Sequence, residues 1–77
     1  MMNKQEVLDQ LNRMARRFFR LYKEAEGEEY GRKADAANHA AETLDALEEM
    51  LYSMGYEAVY VSGNGERPGV YTDIIER

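Results

Sequence analysis

The sequence predicts an α+β fold: an antiparallel two-helix hairpin followed by a two-stranded antiparallel β-ribbon, in the order ααββ, within one small domain over residues 1–77. Three observations carry it. Two stretches repeat apolar residues at the helical period and not at the strand period of two. Gly27 separates them. After Gly55 the composition turns to tyrosine and valine, which suit extended backbone.

The first helix is expected over residues 4–26. Asn3 and Glu6 are spaced as a helix-capping pair, with Asn in place of Ser or Thr. Val7, Leu11, Met14, Phe18, Leu21 and Ala25 then recur in steps of four and three. Leu8, Ala15, Phe19 and Tyr22 widen the stripe beyond a coiled-coil seam, as suits a helix facing a larger core. The second helix is expected over residues 28–54. Tyr30, Ala34, Ala37, Ala41, Leu44, Leu47, Leu51 and Met54 keep the period, and Gly55 fits the left-handed position that ends many helices. Alanines at 34, 36, 37, 40 and 41 favour helix, because alanine loses no side-chain entropy, and they leave room for a bulky neighbour. So short a connection at Gly27 makes the helices antiparallel. Folding there sets Phe18 and Phe19 opposite residues 34–37, Leu11 near Ala41 and Leu44, and Leu8 near Leu47.

Strands are expected over residues 56–62 and 70–75. Gly63, Asn64, Gly65, Pro68 and Gly69 lie between them, in a loop of about six or seven residues and not a tight hairpin turn. Alternation places Val59 and Val61 on one face and Tyr56, Ala58 and Tyr60 on the other. In the second strand it sets Val70, Thr72 and Ile74 against Tyr71, Asp73 and Ile75. Two strands alone are marginal in water. The ribbon must therefore lie on the helices or against another chain, and pairing of two copies as a homodimer is one way to complete it.

A chain of 77 residues buries only about 60% of its unfolded surface. With no cysteine it has no disulfide to compensate, which favours a reducing, intracellular setting. The opening MMNKQEVLDQ lacks the apolar core of a signal peptide, and no apolar run approaches about 18 residues. The expectation is a soluble, cytoplasmic protein with no membrane partner. The net charge of −5 is unevenly spread: residues 1–26 carry +2, residues 28–54 carry −5 and residues 55–77 carry −2. An acidic total argues against general nucleic-acid binding but leaves room for a local basic stripe.

No nucleophile–histidine set, metal-ligand spacing or phosphate loop is present. The Gly-rich segment at 62–69 leads into a strand, whereas a phosphate loop leads into a helix and carries Lys-Ser or Lys-Thr. His39, the only histidine, shares a helix face with Asp35 and Glu42. Dinuclear bundle sites draw ligands from facing helices, including paired Glu-x-x-His units, and the first helix offers no such unit, so no metal is expected. Arg13, Arg16, Arg17 and Arg20, with Lys23, form a basic stripe. It is expected to pair across the hairpin with Asp35, Glu42, Asp45 and Glu49; contact with nucleic-acid phosphates is the other reading. Glu42, Asp45, Glu48, Glu49 and Glu57 make an acidic patch. A solvated face accounts for it; the sharper reading is a surface that takes the place of phosphates in an arginine-rich groove of another protein. Tyr56, Tyr60 and Tyr71 either cover the core or form a contact surface, since tyrosine offers apolar area and a hydroxyl at low entropic cost.

The capped first helix, the segment YGRKADAANHAA over residues 30–41 and the compact C-terminal hairpin resemble the short acidic accessory proteins encoded by phages and prophages of Gram-positive bacteria. That resemblance implies a protein that binds and blocks a host protein, anti-CRISPR proteins being among such inhibitors. The expected function is a non-enzymatic interaction protein without cofactor, concretely a phage-type inhibitor of a host defence protein such as a CRISPR effector. It would bind through Glu42, Asp45, Glu49, Tyr56, Tyr60 and Tyr71. The competing expectation is a small nucleic-acid or nucleotide binder using Arg13, Arg16, Arg17 and Arg20.

Overall fold

Two helices and then two strands follow one another: α1 (Lys4–Glu24), α2 (Arg32–Ser53), β1 (Tyr56–Val61) and β2 (Val70–Glu76). A computed structural model describes residues 3–27 and 31–77 of the chain. The predicted start of the second helix at residue 28, with Tyr30, lies outside the described residues.

Local chemistry sets the helix ends. The Asn3 side chain accepts a hydrogen bond from the Glu6 backbone N–H at 2.9 Å, which satisfies one of the unpaired donors of the first turn. Glu6 in the first turn and Lys23 in the last both complement the α1 dipole. Gly31 caps α2 with no side-chain bond. Gly55, at φ +96°, adopts the left-handed conformation that turns the chain out of α2 into β1, and its N–H returns to the Tyr52 carbonyl at 3.1 Å.

The helices pack against each other as a hairpin, and Leu11 and Leu44, predicted to lie near one another, share the core. Tyr22 shares a surface depression with Ala34 and Ala37, Met14 and Arg17 share one with Ala36 and Ala40, and Val7 shares one with Leu51. Ala34 and Ala37 thus lie beside Tyr22, while Phe18 and Phe19 line a cleft with Ala15, Leu44 and Tyr60. α1 ends at Glu24 and α2 begins at Arg32. Lys33 reaches Glu24 across this gap at 3.8 Å.

The ribbon lies across the hairpin, with β2 against α1 and β1 against α2. The core is Leu8, Leu11 and Ala15 of α1, Leu44 of α2 and Tyr71 of β2, bordered by Val7, Met14, Phe18, Leu47, Leu51, Ala58 and Ile74. β1 and β2 are antiparallel, with Ala58 opposite Ile74, Val59 opposite Asp73 and Tyr60 opposite Tyr71. Between the last two pairs the register shifts, leaving Thr72 as the extra residue of a β-bulge. The bulge reverses the alternation of β2. Tyr71 and Ile74, placed on opposite faces by the sequence pattern, both turn inward with Ala58 and Tyr60. Val61, Val70 and Ile75 are left on the outer face, exposed.

Candidate functional site

The two edges of the ribbon differ in how their backbone groups are satisfied. In an antiparallel pair, residues alternate between exchanging hydrogen bonds with the partner strand and turning their N–H and C=O outward. Tyr71 turns outward: its N–H donates to Asn12 Oδ1 at 2.7 Å and its carbonyl accepts from Asn12 Nδ2 at 2.9 Å. One α1 side chain thereby replaces a neighbouring strand at the edge of β2. Two residues past the bulge, the outward N–H of Ile74 donates to Asp73 Oδ1 at 2.8 Å. The same carboxylate holds Lys4 Nζ of α1 at 2.6 Å. The bond from Lys4, with that from the Ile74 N–H, keeps the Asp73 carboxyl below its ordinary value.

The edge of β1 is different. Tyr60 faces Tyr71 in the non-exchanging type of pair, so its N–H and C=O also point outward, and alternation places those of Ala58 and Tyr56 with them. No hydrogen bond from the described residues reaches these groups. Three rungs of an unpaired ladder are therefore open on the α2 side of the ribbon.

Beside that edge lies the acidic flank of α2. Glu42, Asp45 and Glu49 are exposed, and Asp45, Glu48, Glu49, Tyr52 and Ser53 line a shallow depression. None of the acidic residues of this flank takes part in an ion pair among the described residues, where the pairs are Lys4–Asp73, Lys23–Glu26 and Lys33–Glu24. The predicted pairing of Arg13, Arg16, Arg17 and Arg20 with α2 is thus not formed. All four arginines are exposed on the face of α1 that turns away from the core. Glu48 is the exception on the flank: it accepts a hydrogen bond from the Tyr71 hydroxyl. Burial, and then the Glu48 carboxylate, push the Tyr71 hydroxyl above its ordinary range.

The predicted tyrosines separate. Tyr71 is 3% exposed and belongs to the core, so it is not a contact residue. The bulge and Asn12 turn it inward. Tyr56 and Tyr60, at 38% and 45% exposure, remain accessible beside the open edge. Tyr60 packs on Tyr71 with ring centroids 4.7 Å apart, and a Cβ at Gly69 would collide with its ring, which accounts for glycine there. Glu57 alternates to the outer face of the ribbon and stands apart from the α2 carboxylates. His39 is exposed, lining a groove with Arg17 and Thr43. Among the described residues no cluster of three or more His, Asp or Glu side chains is placed to hold a metal ion, so Asp35, His39 and Glu42 do not assemble one.

Three features escaped the sequence reading. Tyr52 lies exposed in the acidic depression and carries the Arg77 guanidinium 3.7 Å from its ring centroid. Asn64 organises the loop tip: its Oδ1 accepts from the N–H groups of Glu66 and Arg67 at 2.7 and 3.1 Å. The loop so formed, with Phe18, Phe19, Tyr22 and Tyr60, walls a cleft of about 320 Å³. Only the run of turn formers at 63–65 signalled any of this.

Fold and surface together define a small α+β protein with a charge-divided exterior and one open strand edge. Comparison with protein-family models, curated proteins and solved structures finds no match to this chain. No helix among the described residues is long and apolar enough to cross a membrane.

Proposed function

We propose that the chain is a non-enzymatic interaction protein, of the kind phages encode to bind and block a host defence protein such as a CRISPR effector, and that it binds through the acidic flank of α2 and the tyrosines beside it. One observation carries this reading: the Glu42, Asp45 and Glu49 carboxylates are exposed without ion-pair partners among the described residues. Carboxylates so arranged meet an arginine-rich groove as phosphates would. α2 also carries no basic residue in its last turn, so Asp45, Glu48 and Glu49 stand toward the negative end of its dipole uncompensated. Helix stability gives no reason for them there. Tyr56 and Tyr60 supply half-exposed aromatic area next to the charge.

The test is inhibition of an RNA-guided nuclease by the purified protein, beside a variant carrying Glu42→Arg, Asp45→Arg and Glu49→Arg. The wild type should bind the effector and block cleavage. The variant should lose binding while its circular dichroism is unchanged, because the three side chains lie outside the core. Equal binding by both proteins removes the acidic flank from the mechanism, and absence of any inhibition removes the defence target.

A second reading rests on Arg13, Arg16, Arg17 and Arg20, which are free of ion pairs among the described residues and so available to phosphate. It predicts binding of duplex or single-stranded nucleic acid that weakens steeply with added salt. A gel-shift series with no complex at low salt disposes of it.

A further inference from the structure

We infer that the open edge of β1 takes an extended, arginine-bearing segment of another protein as a third strand of the ribbon. The inference rests on the acidic flank being a binding surface and adds the partner's chemistry and its mode of attachment. The outward N–H and C=O groups of Tyr56, Ala58 and Tyr60 offer a row of donors and acceptors, which an added strand satisfies rung by rung. On β2 both outward groups of Tyr71 and the outward N–H of Ile74 are already taken, by Asn12 and Asp73, so its ladder is interrupted where that of β1 runs on.

Charge selects the occupant. α2 packs against β1, so a strand added there runs alongside the depression formed by Asp45, Glu48, Glu49 and Tyr52. A guanidinium is the group this depression suits, because its carboxylates Asp45 and Glu49 are exposed and the Tyr52 ring beside them accepts a guanidinium on its face, as it does that of Arg77 at 3.7 Å. A second copy of the chain is the wrong partner. Pairing β1 with β1 brings two α2 helices together acidic flank to acidic flank, on chains that each carry a net charge of −5. The carboxylates therefore protect the edge from self-association and leave it open to a basic strand.

The experiment is a titration of isotope-labelled protein with a synthetic eight-residue peptide alternating arginine and valine. Three comparisons accompany it: the peptide N-methylated at alternate residues, the peptide with glutamate replacing arginine, and the protein carrying Asp45→Lys and Glu49→Lys. The parent peptide should bind and slow amide exchange at Ala58 and Tyr60 by about tenfold or more, the effect of a hydrogen bond made at each. N-methylation removes strand donors but keeps charge, and should weaken binding at least about tenfold. The glutamate peptide and the charge-reversed protein should show no binding. If the N-methylated peptide binds as well as its parent and the β1 amides stay fast, strand addition is wrong while the acidic flank survives as a charge-driven surface. If no arginine peptide binds, both fail. If those amides are already slow without peptide and the protein sediments as a dimer, the edge belongs to a second copy and the inference is overturned.

Discussion

Along β2 the outward-facing N–H and C=O of Tyr71 are held by Asn12 and the outward N–H of Ile74 by Asp73, whereas the outward-facing backbone of β1, at Tyr56, Ala58 and Tyr60, meets no partner among the described residues. The two strands have similar length and composition, so the difference comes from their surroundings. Each strand lies against a helix, but Tyr71 of β2 is buried there, and a buried N–H or C=O without a partner is costly. On β1, Tyr56 and Tyr60 are exposed and Ala58 is half-buried, so water can serve the same groups. Sealing β2 is therefore a requirement of folding, and leaving β1 open is an option that folding does not need.

The sharpest way to break this comparison is at Asn12. Asn12→Ala strands both the N–H and the C=O of Tyr71 in a part-buried place and should cost about 2–4 kcal/mol, seen as a lower midpoint in urea denaturation. Asn12→Asp keeps an acceptor for the N–H but sets a carboxylate beside the carbonyl, and should recover little of that loss. If Asn12→Ala unfolds at the wild-type midpoint, the β2 edge needs no seal and the contrast with β1 disappears.

Next in size is the Tyr71 hydroxyl. Tyr71→Phe removes its bond to Glu48 and should cost about 0.5–1.5 kcal/mol at neutral pH. Its titration gives an independent reading. Burial holds the folded-state value above the ordinary tyrosine value of about 10. The folded chain thus keeps a proton that the unfolded chain gives up. This contribution to stability is complete below pH ~10 and declines as pH rises above it. Denaturation midpoints between pH 8 and 11 should fall faster for the wild type than for Tyr71→Phe. Parallel curves would place the hydroxyl in water.

At the acid end the sign is opposite. Lys4 depresses the Asp73 carboxyl, so its contribution is present at neutral pH and is lost as pH falls through the depressed folded value. Asp73→Asn keeps an oxygen for the Ile74 N–H but removes the charge facing Lys4. It should flatten the acid limb of the stability curve, an effect smaller than that at Tyr71 because the pair is solvent-exposed. An acid limb identical to wild type would show that the pair contributes nothing.

Much of the fold was legible because its signals are local. The Asn3 cap, the left-handed Gly55 and the ααββ order depend on residues within a turn of each other, and the strand bounds fall within one residue of expectation. What was hidden depends on distant partners. Nothing near Asn12 indicates that its amide will serve a backbone 59 residues away. The bulge at Thr72 reverses which β2 residues face inward, so strict alternation could not place Tyr71 and Ile74 together. The site divides likewise. Exposed carboxylates at Glu42, Asp45 and Glu49 were readable from the helical period, but the open edge beside them follows only from knowing which strand α1 covers.

The smallest expected effect separates the open edge from the bare outer face next to it. Val61, Val70 and Ile75 are exposed there, opposite the tyrosines. Val61→Thr keeps a β-branched side chain on the strand and buries nothing new, so stability should change by no more than about 0.5 kcal/mol. Its binding consequence is the informative part. A strand added to β1 uses main-chain groups, and Val61 alternates with the residues whose N–H and C=O point outward, so its side chain stays clear of the new ladder. Affinity for the arginine–valine peptide should remain within about twofold of wild type, less than the worth of one hydrogen bond. A large loss would move the contact from the edge of the ribbon to its outer face, where side-chain burial and not backbone pairing would supply the affinity.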